Sequence, residues 1–354
     1  MPTLARSVGR AAIATDRVRV LVTGGAGYIG SHTVAVLRAR GDDVVVLDTL
    51  EHGHPAAIPG AELVVGDAGD RGLVAELLRA RRIEAVIHFA ARKSVVESIN
   101  DPGGYFEANI AGSLALMRAM DDAGVQRLVL SSTCAVYGTP DVLPVDEASA
   151  LRPENPYGES KLLVERMAPW FEGPTGLRTV ALRYFNAAGA ALDGSNGEDW
   201  DRAENLVPVV LQVAAGRRGE VDVYGTDYPT PDGTAIRDYV HVLDLADAHA
   251  RAIDHLSGGG DSTTLNLGSG RGASVREVVD AARAVTGRAI ETRDAPRRPG
   301  DPAAIWADGR AARGILGWAP RFDLEAIVTT AWAWHQRHPD GYGPRPAAVP
   351  RAVA

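Results

Sequence analysis

Six short apolar runs, RVRVLVT, DVVVLD, AELVVGD, EAVIHFA, QRLVLSS and TVALRYF, recur through the first half of the chain with helical patterns between them. This alternation predicts a parallel sheet with helices on both faces. Parallel neighbours need a crossover connection, and a strand covered on both sides reads as a continuous apolar run. Right-handed crossovers make such a sheet doubly wound. The first helix is predicted to run from the glycine-rich TGGAGYIGSH to Arg40 and to stop at Gly41, where a left-handed cap fits. After about residue 190 the pattern loosens into GAALDGSNGEDWDRAEN and YGTDYPTPDGT, which predicts a smaller second region. There STTLNLGSG reads as one more strand and SVREVVDAARAVTG as a helix with a Ser274/Glu277 capping box and a stop at Gly287.

Composition narrows the function classes. Lys and Arg total 37 against 45 for Asp and Glu, a net charge of -8, so the overall field does not draw nucleic acid or an anionic membrane. Any anionic ligand must be held by locally placed cations and backbone N–H groups. The single Cys134 excludes a disulfide framework and a multi-cysteine metal site within one chain, the nine histidines show no metal spacing, and no apolar segment approaches a membrane span. These features predict a soluble, cytoplasmic protein without a metal. His88, on an apolar strand, reads as a satisfied core histidine, and Trp332 and Trp334 as one packed and one partly exposed ring.

The glycine stretch follows a strand and opens a helix. It fits Gly-x-Gly-x-x-Gly from Gly25 and also the spacing Gly24, Gly27, Gly30. Small residues let the backbone approach a pyrophosphate, whose charge the first N–H groups of the helix meet. Alone the motif is weak, since a tight strand-to-helix turn needs the same residues. Asp48, at the end of the next strand, adds the carboxylate that accepts from both ribose hydroxyls of an adenosine and repels an extra phosphate, so NAD is favoured over NADP.

Downstream, NPYGESK places Asn155 to cap a helix and Pro156 at its first position, so Tyr157 and Lys161 share one face a turn apart. A nearby ammonium, the helix start and a cationic nicotinamide all stabilise phenolate, which predicts Tyr157 as a general base near neutral pH. Ser131, Ser132 and Thr133 end the fifth strand, where a doubly wound sheet faces its ligand crevice. One or two of these hydroxyls are expected only to satisfy backbone groups.

Taken in order, VTGGAGYIGSH, VLDTL, HFAARKSVVESINDP, SSTCAVYG, NPYGESK, LRYFNAAGA, RDYVHVLDLADAH, NLGSGRGASVREV and RRPGDPA resemble the extended short-chain dehydrogenase/reductases, and within them the UDP-galactose 4-epimerases, over roughly residues 17 to 342. The resemblance implies a Rossmann fold, an NAD that stays bound through each cycle, and a triad of Tyr157, Lys161 and Thr133. It implies cofactor contacts from Gly24, Gly27, Tyr28, Ile29, Gly30, Asp48, Thr49, Leu50, Asp67, Ala68, Phe89, Ala90, Ala91, Lys93, Asn109 and Phe185, together with Tyr157 and Lys161. For a UDP-sugar it implies Asn186, Asn205, Leu206, Tyr224, Arg237, Arg298 and Asp301, with Thr133 and Tyr157 at the sugar. The chain then divides into a mobile extension (1–16), an NAD-binding domain (17–190), a substrate-binding region with one or more elements returning to the main sheet (191–342) and a disordered tail (343–354).

Three alternatives stay open on the residues. A dehydratase of the same fold needs an Asp-Glu pair after the strand-five threonine, where this chain has Cys134 and Ala135. A catalytically idle NAD-binding protein has no need of Tyr157 and Lys161. Other UDP-sugars, N-acetylhexosamines or pentoses, depend on the pocket gate, where the resemblance places Ile305, intermediate in size. The resemblance also implies a homodimer, built through PGGYFEANIAGSLALMRAM and the helix starting at Tyr157.

Overall fold

A computed structural model describes residues 17–200, 203–298 and 300–343. The extension at 1–16 and the tail from 344 lie outside the described residues. In chain order the first half forms β1 (Arg19–Thr23), α1 (Tyr28–Ala39), β2 (Asp43–Asp48), β3 (Glu62–Val65), α2 (Arg71–Ala80), β4 (Ala85–His88), α3 (Val95–Asn100), α4 (Pro102–Phe106), α5 (Gly112–Ala123), β5 (Arg127–Thr133), α6 (Pro156–Met167), α7 (Pro169–Thr175) and β6 (Arg178–Tyr184). The remainder forms β7 (Asn186–Ala188), α8 (Leu206–Ala214), β8 (Val221–Tyr224), β9 (Ile236–His241), α9 (Val242–Ser257), β10 (Thr263–Leu267), β11 (Gly272–Ser274), α10 (Val275–Thr286), β12 (Thr292–Ala295), β13 (Ala304–Ile305), α11 (Arg310–Leu316) and α12 (Leu324–Arg337).

All six apolar runs are strands of one parallel sheet, in the order β10-β6-β5-β4-β1-β2-β3, and β10 from STTLNLGSG closes its edge beside β6. The order reverses between β1 and β4, so a crevice opens there at the carboxyl ends of the strands. Within the strands, side chains alternate between two cores. Val20, Val22, Val44 and Val46 pack with Val34 and Leu37 of α1 and with Leu245 and Ile253 of α9. Leu21, Val45 and Leu47 face the opposite way, onto Val74 and Leu78 of α2, Leu116 and Met120 of α5 and Val164 of α6. Each fully buried Val or Leu is worth about 1.5–3 kcal/mol, so the two-sided burial fixes the register of the whole sheet.

Local signals act as the sequence predicts. α1 ends ahead of Gly41, which takes φ 97°, and Asn155 accepts from the Gly158 N–H at 2.8 Å with Pro156 as the first residue of α6. Ser274 and Glu277 cap α10 reciprocally, and Gly287 follows with φ 65°. In the second region β9 pairs with β7, β11 and β13, and β8 pairs with β12. Helices α8, α10 and α12 enclose a third core around Val210, Leu211, Val278 and Ile327. Trp334 is buried and Trp332 half-buried, as the spacing of the two rings predicts. Beyond residue 190, α9 and β10 return to pack on the main sheet.

Candidate active site

The turn from β1 into α1 is too tight for side chains. A Cβ on Gly24, which holds φ 70°, would stand 2.6 Å from the Ala90 backbone nitrogen, and one on Gly30 would stand 2.4 Å from the Gly24 carbonyl oxygen. The helix start has no side-chain cap and no acidic residue in its first turn, so no carboxylate of α1 competes there with an anionic ligand. Asp48 ends β2 beside this turn. Its Oδ2 accepts from the Ala26 N–H at 3.0 Å and its Oδ1 from the Leu50 N–H at 2.8 Å. Burial raises its pKa against these bonds. A carboxylate offers about four acceptor positions, so two remain for ribose hydroxyls. These residues fit a dinucleotide.

Further positions implied for the cofactor follow the carboxyl ends of β3 and β4 or lie on the segment after them. Asp67 accepts from the Gly69 N–H at 2.9 Å, Ala68 is buried, and the Phe89 ring lies 4.5 Å from that of His249. Asn109 is buried within a π-helical turn, Glu107–Ala111. It accepts from the Arg92 N–H at 2.8 Å and donates to Ser160 at 2.9 Å, which fastens the segment of Ala91 and Lys93 to α6. Lys93 is exposed, and its charge acts on Glu198.

At the carboxyl end of β5, the hydroxyl of Thr133 accepts from the Ala135 N–H at 3.1 Å and stands close enough to Tyr157 to lower its pKa. Burial, followed by the neighbouring Tyr184, pushes the Tyr157 phenol well above its ordinary 10 despite that neighbour. Lys161 is buried, and its Nζ donates to the Ser131 carbonyl oxygen at 2.9 Å. Burial lowers its pKa to about 8, opposed by Glu165. Among the protein's own groups the phenol is raised, so a Tyr157 poised near neutrality depends on the nicotinamide charge that the expectation includes. Desolvation dominates, and the ammonium is directed at a backbone carbonyl instead of at the phenol. Of the three strand-end hydroxyls Thr133 meets a backbone group, as expected of one or two of them, while Ser131 pairs with the Tyr184 hydroxyl and Ser132 donates to Glu165.

The residues implied for a substrate gather in pairs. Arg298 stacks its guanidinium 3.7 Å from the Tyr224 ring centroid. Arg237 donates to the carbonyls of Ile236 at 2.9 Å and Pro302 at 2.8 Å and lies 3.6 Å from Asp301. Its charge also reaches Cys134, whose thiol burial pushes up to about 12. Asn186 opens β7, and Asn205 stands at the head of α8, before Leu206, 3.4 Å from Glu198. Ile305 is buried with Phe185, Val136, Tyr137 and Leu162, directly opposite Arg237 in the β9–β13 register.

Sequence reasoning missed the polar scaffold behind this site. Arg183 contacts Glu165 through both Nε, at 3.1 Å, and Nη2, at 2.6 Å, and donates to the Tyr137 hydroxyl at 2.9 Å, which donates in turn to Asn266 at 2.7 Å. The position of Glu165 one turn beyond Lys161 was the available signal. It also missed Glu198, a buried carboxyl whose pKa burial raises. His88 is a core histidine as expected, bonded to Thr23 at 2.7 Å and Ser113 at 3.0 Å, with its pKa lowered by burial to about 3. Among the described residues no group of three or more His, Cys, Asp or Glu is arranged to hold a metal, and no helix is long and apolar enough to cross a membrane.

Comparison with known proteins agrees with this geometry. Residues 20–268 match the NAD dependent epimerase/dehydratase family. A UDP-glucose 4-epimerase of Lacticaseibacillus casei is 49% identical over 328 residues, 92% of this chain and 99% of that protein. The crystal structure of UDP-glucose 4-epimerase from Brucella ovis in complex with NAD superposes with a TM-score of 0.87 at 45% identity, covering 89% of this chain and 97% of that one. That of the Bifidobacterium longum enzyme with NAD+ and UDP gives 0.87 at 38% identity, covering 92% and 100%.

Proposed function

The chain belongs to the NAD dependent epimerase/dehydratase family, and on that premise we propose that it is an NAD-dependent UDP-glucose 4-epimerase, interconverting UDP-galactose and UDP-glucose by inversion at C4. The observation that carries the mechanism is the placing of Tyr157 and Lys161 one turn apart on α6, with Lys161 bonded to the carboxyl end of β5 and Thr133 beside the phenol. Bound NAD supplies a hydride acceptor and donor and, when oxidised, a positively charged ring. The glycine turn and the start of α1 hold its diphosphate, and Asp48 takes the adenosine ribose and turns away an additional phosphate. Tyr157 removes the proton of the C4 hydroxyl as the hydride leaves C4, giving a 4-keto sugar. It returns the proton once the opposite face is presented. Thr133 orients the phenol and the sugar oxygen. Arg237 and Arg298 answer the substrate diphosphate, with Asn186, Asn205, Leu206, Tyr224 and Asp301 around the nucleotide sugar, so the nucleotide stays anchored while the hexose turns.

The test is to incubate purified protein with UDP-galactose, without added cofactor, and follow UDP-glucose by chromatography. Conversion supports the proposal. No conversion by protein that demonstrably holds NAD would move the reading to another UDP-sugar, which the intermediate size of Ile305 favours next. A 4-keto-6-deoxy product would indicate dehydration, against which stand Cys134 and Ala135. We further propose a cytoplasmic homodimer. Val96 and Ile99 on α3 and Phe106 on α4 are exposed apolar side chains on helices that pack against α6, and sedimentation at working concentration tests it.

A further inference from the structure

One cluster outside the residues assigned above joins three distant parts of the chain at the rim of the cofactor crevice. His54 lies in the loop after β2. Its backbone N–H donates to the Ala26 carbonyl oxygen at 2.9 Å, so this loop is bonded to the glycine turn. The same loop presses on Asp48, because a Cβ on Gly53 would stand 2.8 Å from both the Asp48 Oδ1 and the Ala26 Cβ. The His54 side chain is buried, and its Nε2 lies 2.6 Å from Asp199 Oδ2. The opposite partner of the ring is Tyr342, stacked at 4.9 Å.

The Tyr342 hydroxyl donates to Asn196 and also bonds the backbone of Gly197, accepting from its N–H at 3.0 Å. Asn196 in turn donates to the Ala57 carbonyl at 3.2 Å and accepts from Ser31 of α1 at 3.3 Å. The segment around Asp199 is thus stitched to both sides of the adenosine end of the crevice, and the far end of the described chain lies against it.

We propose that His54, Asp199 and Tyr342 form a clasp that holds the loop after β2 against the glycine turn and sets how slowly the dinucleotide leaves. The proposal rests on the reading of this crevice as an NAD site. The loop grips Asp48 and the glycine turn, so a dinucleotide held by those groups departs only when the loop lifts. Lifting it breaks a buried contact between parts of the chain far apart in sequence. The reaction gives slow release a purpose. The hydride taken from the sugar must return to the same molecule, and a cofactor that left in mid-cycle would strand the ketone.

The experiment is exchange of bound NAD in the full-length protein. Protein carrying its cofactor is mixed with excess radiolabelled NAD, freed of unbound nucleotide at intervals and counted. Asp199→Asn, which is isosteric, and Tyr342→Ala are each expected to exchange roughly tenfold or more faster than the parent, the effect of losing one buried charge-assisted contact. Both should lose activity on dilution and regain it on addition of NAD, which a general loss of folding would not allow. If the parent holds NAD and both variants exchange as slowly as it does, the clasp is overturned and the NAD reading stands. If the parent neither holds nor takes up NAD, both fall together. Asp199→Asn decides the matter if Tyr342→Ala does not fold.

Discussion

Lys161 donates its ammonium to the carbonyl oxygen of Ser131 at 2.9 Å, while Tyr157, one helical turn earlier, has Thr133, two residues farther along the same strand, as its neighbour. A single strand end therefore receives both side chains, and the phenol keeps a pKa above 10 until another positive charge arrives. In the proposed mechanism that charge comes with the oxidised cofactor, so ionisation of Tyr157 is tied to a loaded site.

Tyr157→Phe removes the proton carrier and keeps the ring. Turnover of UDP-galactose should fall by about 10²–10⁴-fold, the usual worth of a general base, with NAD content unchanged. Thr133→Ser, which keeps the hydroxyl, should lose far less than Thr133→Val. Steady-state rates together with cofactor counts check both.

Arg298→Ala loses a guanidinium that stacks on Tyr224 and is assigned to the substrate diphosphate. The expected result is a KM for UDP-galactose raised by roughly ten- to a hundredfold with kcat nearly kept, because the contact is equal in ground and transition states. A fall in kcat at constant KM would remove Arg298 from that role.

Ile305 is buried beside Phe185 and Tyr137. Ile305→Ala should cost about 2–4 kcal/mol of stability, read by denaturant unfolding. It should also raise the activity on UDP-N-acetylglucosamine relative to UDP-glucose, since the proposed gate loses volume. An unchanged ratio would place the gate elsewhere.

Acid should destabilise the fold through its histidines. Burial lowers His32 and His249 to about 4 and His88, His241 and His335 to about 3. Between these values and the ordinary 6.5 the unfolded chain binds more protons than the folded one, so stability rises with pH across that window and is lost as pH falls through it. Asp48, Glu198 and Asp238 have raised values and act in the opposite sense near the carboxylate range. Unfolding free energies measured in urea from pH 7 to 4.5 should decline steadily, and a flat profile would contradict the burial of neutral imidazoles.

The parts of the site readable in the sequence are those specified by local spacing. Gly24 and Gly30 stand out because a turn this tight excludes Cβ atoms, Asn155 and Pro156 because a helix start has few chemical solutions, and Asp48 because it ends a strand at a fixed distance from the turn. What stayed hidden depends on pairs far apart in the chain. Nothing near His54 announces Asp199, and nothing near Glu165 announces Arg183. The direction of Lys161 was hidden for another reason: helical spacing places it beside Tyr157, but the choice between a phenol and a backbone carbonyl is made by β5, which α6 meets only in the folded state.

The return of β10 to the edge of the sheet has a consequence for synthesis. On the ribosome β6 emerges well ahead of β10, and at roughly 5–20 residues per second its outer edge waits on the order of several seconds for its neighbour. Through that interval β6 has β5 available on one side and an open row of backbone donors and acceptors on the other. An unpaired edge of this kind is where another chain can add a strand, so the outer edge of β6 is open to misassembly until β10 arrives.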